Sequence, residues 1–542
     1  MKNILFVLII SGSSFLMMSA CKSERITTPH TPNILIAISD DHSFPHTGFA
    51  GCRFVRTPNF DRIAKEGIFF TNCIAGSPGC APSRSAIVTG RHHWQNEQSG
   101  QHASSWLKKY VPYVDLLETN GYHTGFTGKG VGPFQYARNE LDSLWRKEDA
   151  AGKAFNEIQY QIGTPSDERT ASGIDKIDYY SNFRNFMKIK KMGQPFYFWY
   201  GSREPHRVYE KDSWKHNGKS LEMVEVPDFY PDSDDIRGDI LDYAVEIEWF
   251  DLHLGRMLNY LDSIGELDNT IVIVTGDNGM PFPRAKSNCF EYGVHVPMAI
   301  RYPKSFPGDR IVYDPVSFVD FAPTLLELAG TLPDGMMPMS GKSIVNILKS
   351  KKSGIIDVSK KYVFAGRERH SASRWENMGY PQRAIRSTNH LFVWNIKPER
   401  WPAGAPQSLN LDSETEHFPI FGIDENGIHH SEWAFTDVDA SPTKSFLIEN
   451  HTDESISHFF DLSYGKRPEF ELYDIVIDPD CLNNLYEDPN FGKLAREMKS
   501  ELMKELEKSG DPRVVGPNKE IFDTYIRYSK MRKFPKPQWA EE

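Results

Sequence analysis

Apolar residues in this chain gather in short runs separated by stretches with helical spacing. Asn33-Ile34-Leu35-Ile36-Ala37-Ile38 is apolar almost throughout rather than alternating, as expected of a strand covered on both faces, and it ends in Ser39-Asp40-Asp41. Tyr122–Thr127, Pro195–Tyr200 and Thr270–Thr275 read as further strands. Helix patterns lie between them. Thr57 supplies an N-cap, Pro58 a first helical position and Gly67 a stop; Val114–Glu118 is a short helix, and Asp239–Ile264 carries apolar residues at helical spacing over a long span. This alternation predicts an α/β fold with a large, mostly parallel sheet sandwiched by helices and a ligand site at the carboxyl ends of the strands. After about Ser350 the runs become shorter and more aromatic. Ala365–His370, Met378–Arg386 and Leu391–Asn395 suggest a smaller C-terminal antiparallel sheet, and Phe491–Gly510 a surface helix. The expected division is 32–350 for the larger unit, 351–510 for an α+β subdomain and 511–542 for a basic, aromatic tail.

The first 21 residues hold one Lys, an apolar run from Ile4 to Leu16 and small residues before Cys21. The run is too short to span a membrane and reads as an export signal. Its end resembles a bacterial lipoprotein box, which makes Cys21 the expected lipidated residue, with 22–31 as a polar tether to the cell envelope. Simple cleavage and release as a soluble periplasmic protein is the alternative.

The 542 residues carry a formal charge of -11, with no long Lys/Arg run, which argues against nucleic acid as a partner. An anionic substrate would therefore need a local basic site. Six Cys without a CxxC pair do not make a disulfide scaffold.

The candidate chemistry centres on Pro78-Gly79-Cys80-Ala81-Pro82-Ser83-Arg84, followed by Ser85-Ala86-Ile87-Val88-Thr89-Gly90. Pro82 fits a first helical position, so Cys80 falls at a helix N-terminus, where backbone N–H groups and the dipole favour an anion. Arg84 adds a guanidinium there. Asp40-Asp41 and Asp277-Asn278 each follow a strand, and four such oxygen-bearing side chains at one sheet edge suit calcium or magnesium. Lys286 leaves the same strand end on a loop that can hold an anion.

The Cys80-x-Pro82-Ser83-Arg84 run closed by Thr89-Gly90 resembles the signature of type I sulfatases, and the resemblance recurs in order from about Asn33 to Leu485. It implies that Cys80 is oxidised by a maturation enzyme to formylglycine, whose hydrate is the nucleophile. It also implies one calcium ion, or magnesium, held by Asp40, Asp41, Asp277, Asn278 and the modified Cys80. Arg84, Lys129 (in Gly128-Lys129-Gly130) and Lys286 would hold the sulfate, and His206 (in Arg203-Glu204-Pro205-His206-Arg207) would be the general acid. In the small-sheet region Arg369, His370, Arg400 and Trp401, together with Arg207 near the strand end, are the sugar-contact candidates. Met280-Pro281-Phe282-Pro283 looks most like the heparan N-sulfatase (sulfamidase) branch. Two departures stand out. Gly79 precedes the Cys, and Val131 stands where the family has a His after the Lys, leaving His92, His93 and His102 as substitutes. The expected activity is sulfate removal from a sulfated polysaccharide, whether N-sulfated glucosamine of heparan or an algal glycan such as ulvan or carrageenan. A phosphomonoester or phosphodiester hydrolase and an inactive glycan-binding lipoprotein are the alternatives.

Overall fold

The computed structural model describes residues 31–136, 145–413 and 415–540, and Pro32–Glu542 forms one compact unit. The signal, Cys21 and nearly all of the tether lie outside the described residues. No helix among the described residues is long and apolar enough to cross a membrane.

The large sheet has eight strands. Along it lie Val316–Ser317, Ile68–Ile74, His295–Arg301, Thr270–Gly276, Asn33–Ser39, Phe196–Gly201 and His123–Gly128, with Arg310–Val312 also paired to Ile68–Ile74. All neighbours are parallel except His295–Arg301, which runs against both of its partners. The unbroken apolar run at the centre is explained by its two faces. Ile34, Ile36 and Ile38 pack with Tyr113, Val114, Leu117 and Leu325, whereas Leu35 and Ala37 pack with Phe60, Phe183, Trp249 and Leu258. Successive residues thus enter different cores, and a polar side chain at any of these positions would be buried.

The helices begin where polar groups meet their free N–H donors, which is not always where the local pattern places them. Asp234–Ser263 starts five residues before the apolar spacing does, because Ser233 caps Ile236. Pro58–Glu66 has the expected limits, but Thr57 makes no cap bond. Asp251, from the long helix, accepts from the Asn59 and Phe60 N–H groups instead (3.0 and 2.7 Å).

Four strands, Val363–Arg367, Gln382–Arg386, His390–Asn395 and Phe470–Asp474, make the small antiparallel sheet. Helix Gly492–Ser509 covers one face through Met498, Leu502 and Leu506 against Ile385, Phe392 and Leu472. The other face packs on Ile74, Cys289, Phe290 and Val294 next to the large sheet. A buried fork joins the two sheets here: Arg386 donates to both oxygens of Glu291 (2.7 and 2.9 Å) and to Asn72 Oδ1 (2.8 Å). Burial alone would raise the Glu291 carboxyl, but Arg386 and His295 hold it far below its usual range. Its folded pKa is depressed, so its stabilisation is complete above the ordinary Glu value of about 4.3 and fades as pH falls through the folded value. Arg386→Ala strands that carboxylate and is expected to cost about 3–5 kcal/mol in chemical or thermal unfolding. A melting curve that overlays the wild type would rule this out.

Candidate functional site

The site is assembled by register. Ser39 pairs with Gly276, so the two central strands end side by side and deliver Asp40-Asp41 next to Asp277-Asn278. Asp41 turns the chain with φ 71°, and its N–H donates to Asp277 Oδ1 (2.9 Å). The next two strand ends are tied in by backbone bonds, Asp40 N–H to Glu204 O (2.9 Å) and Lys129 N–H to Gly201 O (2.6 Å).

Three cations face three carboxylates in this buried cluster. Lys129 Nζ meets Asp40 Oδ2 (2.6 Å), Arg84 Nε meets Asp277 Oδ2 (2.6 Å), and Lys286 Nζ meets Asp41 Oδ2 (2.7 Å). One oxygen from each of Asp40, Asp41 and Asp277 lies within 4.8 Å of the others. Burial would raise Asp40, yet Lys129 and Arg84 hold it far below the usual carboxylate range. Asp277 goes the other way: burial and the Asp40 charge push it up to about 7. Such crowding of like charges is relieved by a hard cation among the oxygens. Two buried oxygens, Asp40 Oδ1 and Asn278 Oδ1, have no hydrogen-bond partner, and Asn278 Nδ2 donates to Asp41 Oδ1 (2.8 Å), which fixes Oδ1 as the free atom. An all-oxygen donor set with two unused acceptors fits calcium or magnesium.

Cys80 stands beside the cluster. The helix runs Cys80–Thr89, so Cys80 itself, rather than Pro82, opens it, and Gly90 ends it in the left-handed region (φ 66°) with its N–H on Ala86 O. Ser83 anchors the helix by donating to Asp277 O (2.6 Å). The anion expected at this helix start is not favoured in the unmodified thiol. Burial pushes Cys80 up, outweighing Lys129 and Lys286, while Asp40 and Asp277 add to the rise. Arg84 does not aim its whole fork at residue 80: Nε is on Asp277 and Nη1 on the Lys129 and Gly130 carbonyls (2.8 and 3.1 Å). Only Nη2 is unpartnered, 3.7 Å from Asp40 Oδ1.

His206 reaches the cluster from the Phe196–Gly201 strand end. Its Nδ1 lies 2.7 Å from Arg207 O, which can only accept, so Nδ1 carries a proton and Nε2 faces Asp41 Oδ2 at 3.9 Å. Asp439, on no recognisable sequence pattern, joins through Lys286 (3.0 Å) and completes a second trio with Asp41 and His206. Lys286 Nζ already bridges Asp41 and Asp439, where a second metal ion would otherwise sit.

Of the three substitute histidines, His102 comes close to the cluster. His92 stacks on Trp94 and faces Glu505 at 3.5 Å, and His93 is buried with Arg383 as its chief charged neighbour. His102 lies against His370 (ring centroids 5.2 Å), and a Cβ placed on Gly79 would come within 3.2 Å of His370 Nδ1. Gly79 therefore gives the His370 ring its room beside residue 80. The sugar-contact expectation does not fit Arg207 and Arg400. Arg207 is held bidentately by Asp239 (2.6 and 2.8 Å), and Arg400, 4 % exposed, is held by Asp523 (3.0 Å) and Gly379 O (2.9 Å). Both guanidiniums brace the fold. Arg369 likewise donates to Tyr525 O (2.5 Å), and Trp401 packs against Phe435. The five described cysteines, Cys52, Cys73, Cys80, Cys289 and Cys481, are free thiols.

A mostly parallel sheet covered by helices, with acid-bearing strand ends gathered beside a helix-opening residue, is an α/β fold of the alkaline phosphatase-like class. The sequence pattern of the family described as Sulfatase matches residues 32–331, more than half of the chain, and the protein belongs to the sulfatase family of sulfate ester and sulfamate hydrolases. It is 26% identical over 521 residues to an ulvan-active sulfatase of Formosa agariphila, covering 90% of this chain and 77% of the relative. It is 24% identical over 524 residues to the N-sulphoglucosamine sulphohydrolase of Homo sapiens, covering 90% and 92%. A similar fold occurs in a protein solved with its substrate D-glucosamine-2-N,6-O-disulfate, at TM-score 0.58 and 19% identity, covering 89% of this chain and 99% of that one.

Proposed function

We propose that this protein removes sulfate groups from a sulfated glycan, using formylglycine at residue 80 and one calcium ion held by Asp40, Asp41, Asp277 and Asn278. The observation that carries the reading is the packing of Arg84, Lys129 and Lys286 against those carboxylates beside Cys80. Formylglycine supplies an aldehyde whose hydrate offers two hydroxyls, one to attack sulfur and one to drive release of sulfate. The cation supplies charge for the sulfate oxygens and lowers the pKa of a bound hydroxyl.

The remaining chemistry belongs to the chain's own groups. Lys129 and Lys286 point ammonium groups into the cluster, and a well-placed donor of this kind contributes about 3 kcal/mol to holding developing negative charge. Arg84 orients Asp277 through Nε and keeps Nη2 for an oxygen at residue 80. His206, locked at Nδ1 by the Arg207 carbonyl, presents Nε2 to the site as the atom through which a proton can pass to the leaving oxygen or nitrogen. Lys286 in the place of a second metal ion favours a sulfatase over the two-metal phosphatase reading.

The relatives named above leave both ulvan-type sulfate esters and N-sulfated glucosamine as substrate classes. Sulfate release from heparan, chondroitin, ulvan and carrageenan oligosaccharides, with 4-nitrophenyl phosphate alongside, tests the proposal. Release from at least one glycan is expected, with phosphate release at least about 100-fold slower; phosphate release at an equal rate, or no release from any glycan, refutes it. We also propose attachment to the bacterial envelope through Cys21. Cys21→Ala should move the protein to the soluble fraction, and a variant that stays membrane-bound would refute the anchor.

A further inference from the structure

Arg527 is a cation that the chemistry above does not use. It lies in the stretch after residue 510, which returns to the mouth of the site. Tyr528 N–H donates to Ala103 O (2.7 Å), and Ser104 Oγ donates to Ile526 O (2.7 Å), so the backbone is clamped on both sides of Arg527. Its Nη1 donates to His370 O (3.0 Å) and lies 3.2 Å from His102 Nδ1. Arginine can only donate, so His102 Nδ1 accepts and that imidazole is neutral. Burial pushes His102 well below its usual range, helped by the charges of His370, Arg527, Lys129 and Lys286.

Arg527 Nε donates to Lys530 O (3.4 Å), so the half-buried guanidinium rests on a neutral ring and two carbonyls, and no carboxylate among the described residues forms an ion pair with it. The nearby Asp437 is already held by Arg367 and Arg374 (2.6 and 2.8 Å). The neighbouring His370 ring abuts Gly79, one residue from Cys80. Burial and the charge of Arg532 pull Arg527 down from its usual range, with Asp437 opposing them. A cation held in place without a counter-charge beside an anion-binding pocket is a receptor for another anion.

We infer that Arg527, seated on His102 and His370, binds a second acidic group of the substrate, a sulfate or carboxylate close to the sulfate being removed. This rests on the sulfatase reading and narrows it to doubly anionic sugar units. The adjoining imidazoles of His102 and His370, tilted at 41° to each other, wall the sugar on one side, and the free Nη2 of the guanidinium fixes its orientation through a charge-assisted hydrogen bond.

The test compares wild type, Arg527→Gln and Arg527→Lys on 4-nitrophenyl sulfate, on D-glucosamine-2-N,6-O-disulfate and its two monosulfates, and on ulvan oligosaccharides before and after carboxyl reduction. In Arg527→Gln, KM should rise roughly 10- to 100-fold on units with a second anion, with kcat and the singly anionic substrates within about twofold. Arg527→Lys should fall between. Loss confined to the disulfate identifies the second group as sulfate, and loss confined to unreduced ulvan identifies it as carboxylate; either supports the inference. Equal losses on all substrates, or none, overturn the inference while leaving the sulfatase reading standing. Absence of release by the wild type from every glycan overturns both. Should Arg527→Gln fail to fold by its melting curve, Arg527→Lys carries the test, and a KM unchanged on doubly anionic units then overturns the inference.

Discussion

Replacing Cys80 with Ala is expected to remove turnover by roughly 10⁴-fold or more while leaving the fold and glycan binding in place. The residue opens a helix whose Ser83 and Arg84 bond to Asp277, so its own small side chain carries none of the local scaffold. An unmodified thiol is a poor substitute. Burial keeps it protonated, and attack by sulfur would leave an adduct with no second hydroxyl to expel sulfate. Cys80→Ser should be equally inactive unless the host oxidises Ser. The peptide containing residue 80, isolated from a host with a maturation enzyme, should react with hydrazide reagents and resist thiol alkylation. A thiol form that turns over as fast as the aldehyde form would sink the proposal.

Removal of the cation should be nearly as severe. Arg84, Lys129 and Lys286 are each already paired with a carboxylate, so the cluster gains net positive charge for a sulfate only when a divalent ion is added. Chelation should abolish activity and calcium should restore it. Calcium at about 100 times its Kd should also stabilise the fold by about 2.7 kcal/mol, read as a rise in melting temperature. Asp277→Ala should lose both effects. Lys286→Ala should keep the calcium-dependent rise in melting temperature and lose about 10²–10³ in kcat/KM. Full activity in a metal-free sample would end the assignment.

Much of this was legible in the chain. Strand runs such as Ile34–Ile38 are apolar because both faces are covered, and their ends are marked by the acids that follow them. Cys80, Arg84, Lys129, Lys286 and the two acidic pairs converge because neighbouring parallel strands end at one edge. What escaped notice depends on long-range packing. Phe470–Asp474, the fourth strand of the small sheet, is paired with His390–Asn395 about 80 residues earlier, and no local pattern names that partner. Asp439 and Arg527 lie in irregular segments with no period to mark them, and only the fold brings them to Lys286 and His102. Arg207 and Arg400 gave the opposite error, because a sequence does not reveal that Asp239 and Asp523 have already claimed them.

The groups around residue 80 come from two kinds of chain. Asp40, Asp41, Cys80, Arg84, Lys129, Asp277 and Lys286 sit at or just beyond the ends of the large sheet and, the Cys80 side chain aside, are locked to one another by short bonds. His370, Asp439 and Arg527 arrive on irregular segments beyond residue 350, and their backbone can be rebuilt without moving a strand of that sheet. A new specificity can therefore be grafted by exchanging these outer segments between relatives, with the reactive centre carried over unchanged. Directed evolution for another sulfated sugar belongs in those segments, and mutations at the strand ends will only erase activity.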